Sequence, residues 1–475
     1  MNYETLLNRT AELALASLTG LPERPVAHSV SFAEMLARLG GELPTSGEDA
    51  LQVIERLVEA AEPGLVATPG PRYFGFVIGG VLPASLAADW LTSTWDQNAG
   101  AFVLSPAAAA TEEIIRQWLT ELFGLSPEMS MGIVTGGTMA NFTGLAAGRH
   151  ALLKRAGWEV ETAGLFGAPP LPVVVSHESH ITIFASLQML GLGRERVVRV
   201  ATDAQGRMRS DALREALAKL DAPALVCAQA GNVNTGSFDP LPDILPLVRE
   251  NGGWLHVDGA FGGWAAAAPT HRHLLAQVEQ ADSFTVDCHK WLNVPYDAGL
   301  VFVREAAAHH TAMTLSGAYY VAGPDDAREN HNWVPEASRR ARCFAIYAAL
   351  RALGREGIAA IVERCCRLAR RFAERLAQDP QVQILNDVVL NQVLVRFMPP
   401  TGDEDGGDVD AFTAAVMKRV QADGTCWAGG TTWQGKHAMR ISVSNWSTTE
   451  SDIDRSAAAM LACLHALNEA PSVTD

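Results

Sequence analysis

The sequence predicts an α/β protein, with a mostly parallel central sheet flanked by helices and a smaller C-terminal α+β domain. Three observations lead to this class. Between about residues 70 and 350, short apolar runs alternate with helical stretches. Those runs are mostly apolar, as expected of strands covered on both faces. Beyond about residue 351, an Arg-rich helical stretch is followed by strands of mixed polar and apolar character. A chain of 475 residues has room for about three domains.

Residues 1–70 read as a helical arm. An apolar stripe opens at Tyr3-Glu4-Thr5-Leu6-Leu7, and a second helix over 50–61 ends at Pro63-Gly64. So small a set of helices is expected to pack on the body or on another subunit. Residues 71–350 form the large domain, with strands over 131–135, 172–176, 224–228, 254–258, 283–286 and 299–303. Helices are expected over 106–123, 139–155, 180–190, 211–220 and 241–250, the first started by Ser105-Pro106 as cap and first helical residue. Residues 351–475 form the small domain, with a helix over 358–377 and strands over 392–398 and 439–444. Its acidic loop, Gly402-Asp-Glu-Asp-Gly-Gly-Asp, lacks the spacing of a calcium loop and reads as solvated surface.

Composition excludes several partners. The net charge of −16 disfavours nucleic acid and anionic membranes, both of which attract clustered Lys and Arg. No apolar run is long enough for a membrane-spanning helix, and no basic segment precedes an apolar one at the N-terminus. The seven cysteines are odd in number and lie in no C-x-x-C pair, so neither a disulfide framework nor a zinc site is expected. These features predict a cytoplasmic protein with reduced thiols and no metal.

Four segments carry chemistry. In Asp282-Ser-Phe-Thr-Val-Asp-Cys-His-Lys-Trp-Leu-Asn, Lys290 follows an apolar strand and precedes Trp291-Leu292. Desolvation there would favour the neutral, nucleophilic amine. In Trp254-Leu-His-Val-Asp-Gly-Ala-Phe-Gly-Gly-Trp, Asp258 closes a buried strand, where open α/β sheets bind ligands. Met131-Gly-Ile-Val-Thr-Gly-Gly-Thr-Met-Ala-Asn is a strand, a glycine turn and a helix start, and its N–H groups with the Thr138 hydroxyl suit a phosphate. It is neither a Walker A loop nor a dinucleotide fingerprint. Val175-Ser-His-Glu-Ser-His-Ile-Thr brings His177 and His180 to the same rim. Taken singly, each has an ordinary structural explanation: a surface lysine, a helix-capping aspartate, a tight turn, a pair of structural histidines. Taken together, a phosphate loop, a histidine, an acid and a buried lysine at four strand ends match pyridoxal 5′-phosphate. Lys290 would join its aldehyde, Asp258 hold its pyridinium proton, Gly137 and Thr138 receive its phosphate, and an imidazole stack on its ring.

The chain resembles the group II pyridoxal-phosphate-dependent amino acid decarboxylases, which include aromatic-amino-acid, histidine, glutamate and diaminobutyrate decarboxylases. The resemblance runs from Pro71-Arg-Tyr-Phe-Gly-Phe-Val to Arg440-Ile-Ser-Val-Ser-Asn-Trp. The family's D-x-H-K-W signature is present as Asp287-Cys-His-Lys-Trp, and its H-V-D-A-A segment as His256-Val-Asp-Gly-Ala. The resemblance implies a fold-type-I architecture like that of aspartate aminotransferase, and a homodimer with shared active sites. It implies His180 as the ring-stacking histidine, Asp258 as the pyridinium partner, and Ala260 as a packing residue under the ring. His289 then neighbours the phosphate and the lysine, Asp287 joins the cofactor-binding positions, and Phe76 and Phe102 fall in the substrate pocket.

Three positions depart from the family. Its G-T-T turn reads Gly231-Asn-Val-Asn-Thr-Gly, placing Val233 where a threonine is usual, and Gly259 replaces an alanine. The loop tyrosine that returns a proton to carbon in aromatic-amino-acid decarboxylases aligns roughly with Asn330 or His331, with Tyr319 and Tyr320 earlier. The expected reaction is decarboxylation of an aromatic or bulky apolar L-amino acid to an amine and CO2. Its rivals are decarboxylation coupled to oxidative deamination, giving an aldehyde, an aminotransferase or carbon–carbon lyase on the same fold, and a catalytically idle dimeric homologue.

Overall fold

The computed structural model describes residues 3–27, 30–314, 323–324, 327–400 and 406–469. The chain divides into two compact units. The larger comprises residues 79–370 and 385–393, and the other comprises residues 1–78, 371–384 and 394–475.

The larger unit is built on a seven-stranded sheet. Its strands are β1 (Ser130–Val134), β2 (Val173–Ser176), β3 (Val198–Val200), β4 (Leu225–Gln229), β5 (Trp254–Asp258), β6 (Ser283–Asp287) and β7 (Gly299–Val303). They lie in the order β1-β7-β6-β5-β4-β2-β3. All are parallel except β7, which runs antiparallel to both β1 and β6. Six of the strands are buried at every residue, which is why the sequence shows them as largely apolar runs rather than alternating ones. β3 has no such run. It is a three-residue edge strand, and its composition left it undetected in the sequence.

Helices cover the sheet. They are α4 (Pro83–Trp95), α5 (Pro106–Phe123), α6 (Gly137–Arg155), α7 (Val160–Ala163), α8 (Ile181–Met189), α9 (Ser210–Leu217), α10 (Leu241–Glu250) and α11 (Ala306–Met313), after α1 (Tyr3–Gly20), α2 (Phe32–Leu39) and α3 (Ala50–Ala61) in the other unit. Ser105 caps α5 as expected, its hydroxyl accepting from Ala108 N at 3.3 Å. α12 (Cys343–Leu376) begins well before the predicted helix over 358–377. It is broken at Gly354, whose φ of 60° lies in the left-handed region that glycine alone enters without cost.

The second unit carries a four-stranded sheet of order β10-β11-β9-β8, with β8 (Val382–Ile384), β9 (Gln392–Phe397), β10 (Gly429–Trp433) and β11 (Lys436–Ser442). α13 (Gly406–Asp423) and α14 (Glu450–Asn468) complete it. β8 and β10 escaped the sequence reading: one is three residues long, and the other opens on Gly429-Gly430. Most of the acidic loop near residue 402 lies outside the described residues. Among the described residues, no helix is long and apolar enough to cross a membrane.

One charged pair lies deep in the larger unit. Arg339 Nη1 is 2.7 Å from Glu112 Oε1, with both side chains about 1% exposed. Breaking such a pair strands a buried charge. Glu112→Ala is therefore expected to lower unfolding free energy by about 3 kcal/mol, read from urea midpoints. Replacing both residues with methionine should cost much less, and equal losses in the two variants would contradict this account.

Candidate functional site

β1, β2, β5 and β6 all point their carboxyl ends to one edge of the sheet, and the predicted chemistry follows those ends. After β1 the chain turns through Gly136 into α6. Gly136 is the N-cap and offers no side-chain hydrogen bond, so the first-turn N–H groups of α6 receive no such cap. A Cβ at Gly137 would lie 3.0 Å from Asp287 Oδ2, and one at Gly136 would lie 3.0 Å from His289 Cε1. The glycine pair thus lets the turn approach the end of β6 closely.

At that end, Lys290 Nζ lies 2.7 Å from Asp287 Oδ2. The sequence reading relied on desolvation around Lys290. The structure instead supplies a carboxylate partner, itself buried, whose Oδ1 has no hydrogen-bond partner among the described residues. His289 stacks on Tyr296 with ring centroids 4.4 Å apart, and Ala298 N donates to its Nδ1 at 3.4 Å. Burial pushes the His289 pKa down, against the pull of Asp287.

Asp258 closes β5, in register with Gln229 on one side and Thr285 on the other. It is 7% exposed. Its Oδ1 accepts from Ala260 N at 3.1 Å, and its Oδ2 accepts from Asn141 Nδ2 at 3.0 Å. Beyond β2, His180 caps α8: its Nδ1 accepts from Thr182 N at 3.3 Å and lies 2.8 Å from Thr182 Oγ1. His177, by contrast, is exposed.

The turn over 231–236, which lacks the family's threonine pattern, is held by Asn232. Its Oδ1 accepts from Asn234 N and Thr235 N, and Val233 is half-buried between them. Asn330 and His331 sit in a short 3-10 segment and are buried. Asn330 Nδ2 donates to Ala99 O, and both His331 N and Nδ1 contact Gly100 O. They are packed positions, not loop residues free to reach a substrate. Tyr319 and Tyr320 lie outside the described residues.

Of the substrate-pocket candidates, Phe102 is half-buried in the larger unit, where its N–H donates to Glu329 Oε2 at 3.0 Å. Phe76 belongs to the other unit. It is 61% exposed with a φ of 52°, and its ring stacks on Trp427, which also stacks on Tyr73.

A family model, the pyridoxal-dependent decarboxylase conserved domain, matches residues 33–398. The chain belongs to that family. It is 24% identical to tryptophan decarboxylase 2 of Oryza sativa subsp. japonica over 90% of this chain and 88% of the relative. Against cysteine sulfinic acid decarboxylase of Homo sapiens it is 27% identical, over 89% and 87% of the two chains. Its fold is that of the Oryza sativa TDC solved with PLP and tryptamine, at a TM-score of 0.92, 20% identity and 99% coverage of both chains. The protein is accordingly a pyridoxal 5′-phosphate-dependent amino acid decarboxylase of fold type I.

Sequence reasoning missed Asn141, Thr182 and Thr285 and gave His256 no role. Asn141 Oδ1 accepts from Thr285 Oγ1 at 2.9 Å and contacts His256 Nε2 at 3.0 Å. The available signal was an amide in the second turn of a helix, a poor residue there unless its polar group has a partner.

Burial holds His256 neutral, its pKa pushed down to about 4. An unfolded chain takes up that proton near the ordinary value of 6.5. Between these values the unfolded state binds more protons, so stability falls as pH falls through the window. His309, pushed down to about 3, acts in the same direction, while Asp239, pushed up to about 7, acts oppositely. Comparing His256→Gln with the parent from pH 7 to 4.5 isolates one residue. The variant's urea midpoint should depend less on pH, by up to about 1.4 kcal/mol per unit. Parallel curves would contradict the buried neutral state.

Proposed function

We propose that this decarboxylase converts an aromatic or bulky apolar L-amino acid to its amine and CO2, with Lys290 as cofactor anchor. The observation that carries the reading is the Lys290–Asp287 pair at 2.7 Å, set against the glycine turn that opens α6. It brings the amine and the anion-binding helix start to one place. The residues present suit the cofactor. An uncapped helix start suits its phosphate, the orphaned Asp287 Oδ1 is open to a donor, and the firmly held Asp258 carboxylate suits a ring N–H.

When bound, pyridoxal phosphate supplies an electron-withdrawing ring that takes up the electron pair released as CO2 departs. The chain does the rest. Gly137, Thr138 and the first turn of α6 bind the phosphate, beside Asp287 and His289. Asp258 holds the proton on the ring nitrogen, since an ionised acid in this setting requires a cationic partner. His180 would stack on the ring and Ala260 would pack against it. Asp287 would hold the Lys290 amine while the lysine is free, and Lys290 would be the group to carry a proton to the substrate carbon.

The aromatic preference rests on Phe76 and Phe102, the two positions that the resemblance puts in the substrate pocket, and the Phe76 ring already stacks on Trp427. An indole or phenol ring gains from such surfaces. The aldehyde-forming alternative drew on the missing tyrosine at residues 330–331. Asn330 and His331 are packed against backbone and bring no phenol there, so the aldehyde route stays the second reading, and a phenylacetaldehyde synthase is among the relatives.

The reading extends to assembly. α1, α2 and α3 contain no buried residue, and Phe32, Leu36 and Leu39 are all more than half exposed. We propose that residues 1–70 are an arm that covers this apolar face on a second copy, giving a homodimer with shared sites around a large domain (71–350) and a small one (351–475). The seven cysteines are buried and free, in keeping with a cytoplasmic setting.

A screen of amino acids should release CO2 and the matching amine in equal amounts from tryptophan, tyrosine or phenylalanine, without peroxide. Peroxide and ammonia in place of amine would favour the aldehyde route, and turnover confined to acidic amino acids would overturn the substrate class. Phe76→Ala should lower kcat/KM for the aromatic substrate by about tenfold or more. Lys290→Ala should abolish turnover, and full activity in that variant would end the proposal.

A further inference from the structure

Asn141 is fully buried in the second turn of α6, and its amide makes four hydrogen bonds, the full complement for its two donors and two acceptor lone pairs. Nδ2 donates to Asp258 Oδ2 at 3.0 Å and to Thr182 Oγ1 at 3.1 Å. Oδ1 accepts from Thr285 Oγ1 at 2.9 Å and contacts His256 Nε2 at 3.0 Å. The carboxylate of Asp258 fixes which way the amide faces, because a flipped amide would set oxygen against oxygen.

That orientation propagates. With Asn141 Oδ1 accepting, His256 carries its proton on Nε2, so its Nδ1 accepts from Ser283 Oγ at 2.8 Å. Ser283 Oγ in turn accepts from Trp254 Nε1 at 2.9 Å. On the other side, Thr182 Oγ1 accepts from Asn141 and therefore turns its own proton toward His180 Nδ1 at 2.8 Å. One directional chain runs from the core at Trp254 to the rim at His180, with a branch to Asp258. Trp254, Asn141, His256, Ser283 and Thr285 are all at most 1% exposed, so water does not compete for these bonds.

We infer that Asn141 is a positioning residue that locks Asp258 and His180 into one mutual geometry toward the cofactor ring. The inference rests on the assignment of Asp258 and His180 to that ring. Two groups that would meet a single flat molecule come from different elements, the end of β5 and the N-cap of α8. Asn141 is the side chain hydrogen-bonded to both branches. It fixes the lone pairs that Asp258 leaves for the ring nitrogen, and through the Thr182 hydroxyl it adds a second donor to the Thr182 N–H on His180 Nδ1.

The test compares holoenzymes carrying Asn141→Ala, Asn141→Asp and Thr182→Val with the parent. Readouts are the pyridoxal phosphate dissociation constant, the visible circular dichroism of bound cofactor, and kcat and KM separately. Asn141→Ala is expected to weaken cofactor binding at least tenfold, alter the dichroism and lower kcat more than it raises KM. Asn141→Asp keeps the volume but brings a second acceptor against Asp258, so it should not rescue binding. Thr182→Val removes the hydroxyl that links Asn141 to His180, leaving only the backbone N–H on His180 Nδ1, and should change the dichroism with a smaller loss of affinity. It also decides the matter should the Asn141 variants fail to fold.

In an Asp258→Asn background, adding Asn141→Ala should change affinity by less than twofold, because its effect on affinity passes through Asp258. Parent-like affinity and dichroism in the Asn141 and Thr182 variants, or full additivity with Asp258→Asn, would overturn the positioning role. An Asp258→Asn enzyme with unaltered cofactor affinity and spectrum would instead remove the underlying assignment, and this inference with it.

Discussion

A carboxylate closing a central buried strand is the constraint on which the site depends. Asp258 lies between β4 and β6, and burial of an acid there is costly unless its oxygens are met by donors or a cation. Asn141 and Ala260 N meet part of that need. In the proposed reading, what remains is met by the cofactor's ring nitrogen. The parallel arrangement does the rest, because strands running the same way end on the same edge and bring their following loops together.

The same arrangement explains why one helix matters more than the others. α6 begins at the glycine turn, packs along the sheet, and sends Asn141 to the end of β5 from its second turn. Its N-terminus faces Asp287 across glycines that have no side chain to intervene. The anion-binding end of a helix, an acid and a lysine thus share a small space. In the proposed reading, the cofactor's phosphate, ring nitrogen and aldehyde span those groups. The reaction class follows from the family, and the placing of each group follows from the strand ends.

Much of this was legible in the sequence because burial on both faces leaves a simple trace. Runs such as Leu225–Gln229 and Gly299–Val303 are apolar at nearly every position, so their bounds could be read to within about a residue. Strand direction left no trace: β7 reads like its neighbours but runs antiparallel. Short edge strands such as β3 and β8 vanish because three residues carry no pattern. At the site, Lys290 and Asp258 stood out because charged residues ending apolar strands are rare. Asn141 did not, because its role depends on partners 41, 117 and 144 residues away in sequence. The pairing of Lys290 with Asp287 was equally hidden, although the two lie within one turn of chain.

The central claim is that pyridoxal phosphate is carried on Lys290, and the scarcity of lysine makes this directly measurable. The chain has five: Lys154, Lys219, Lys290, Lys418 and Lys436. Borohydride reduction of the holoenzyme fixes the pyridoxal group to its lysine, and peptide mass mapping then identifies the residue. The account predicts the label on Lys290 alone, at close to one per chain. A label on any of the other four, or none on Lys290 in an active enzyme, would contradict it.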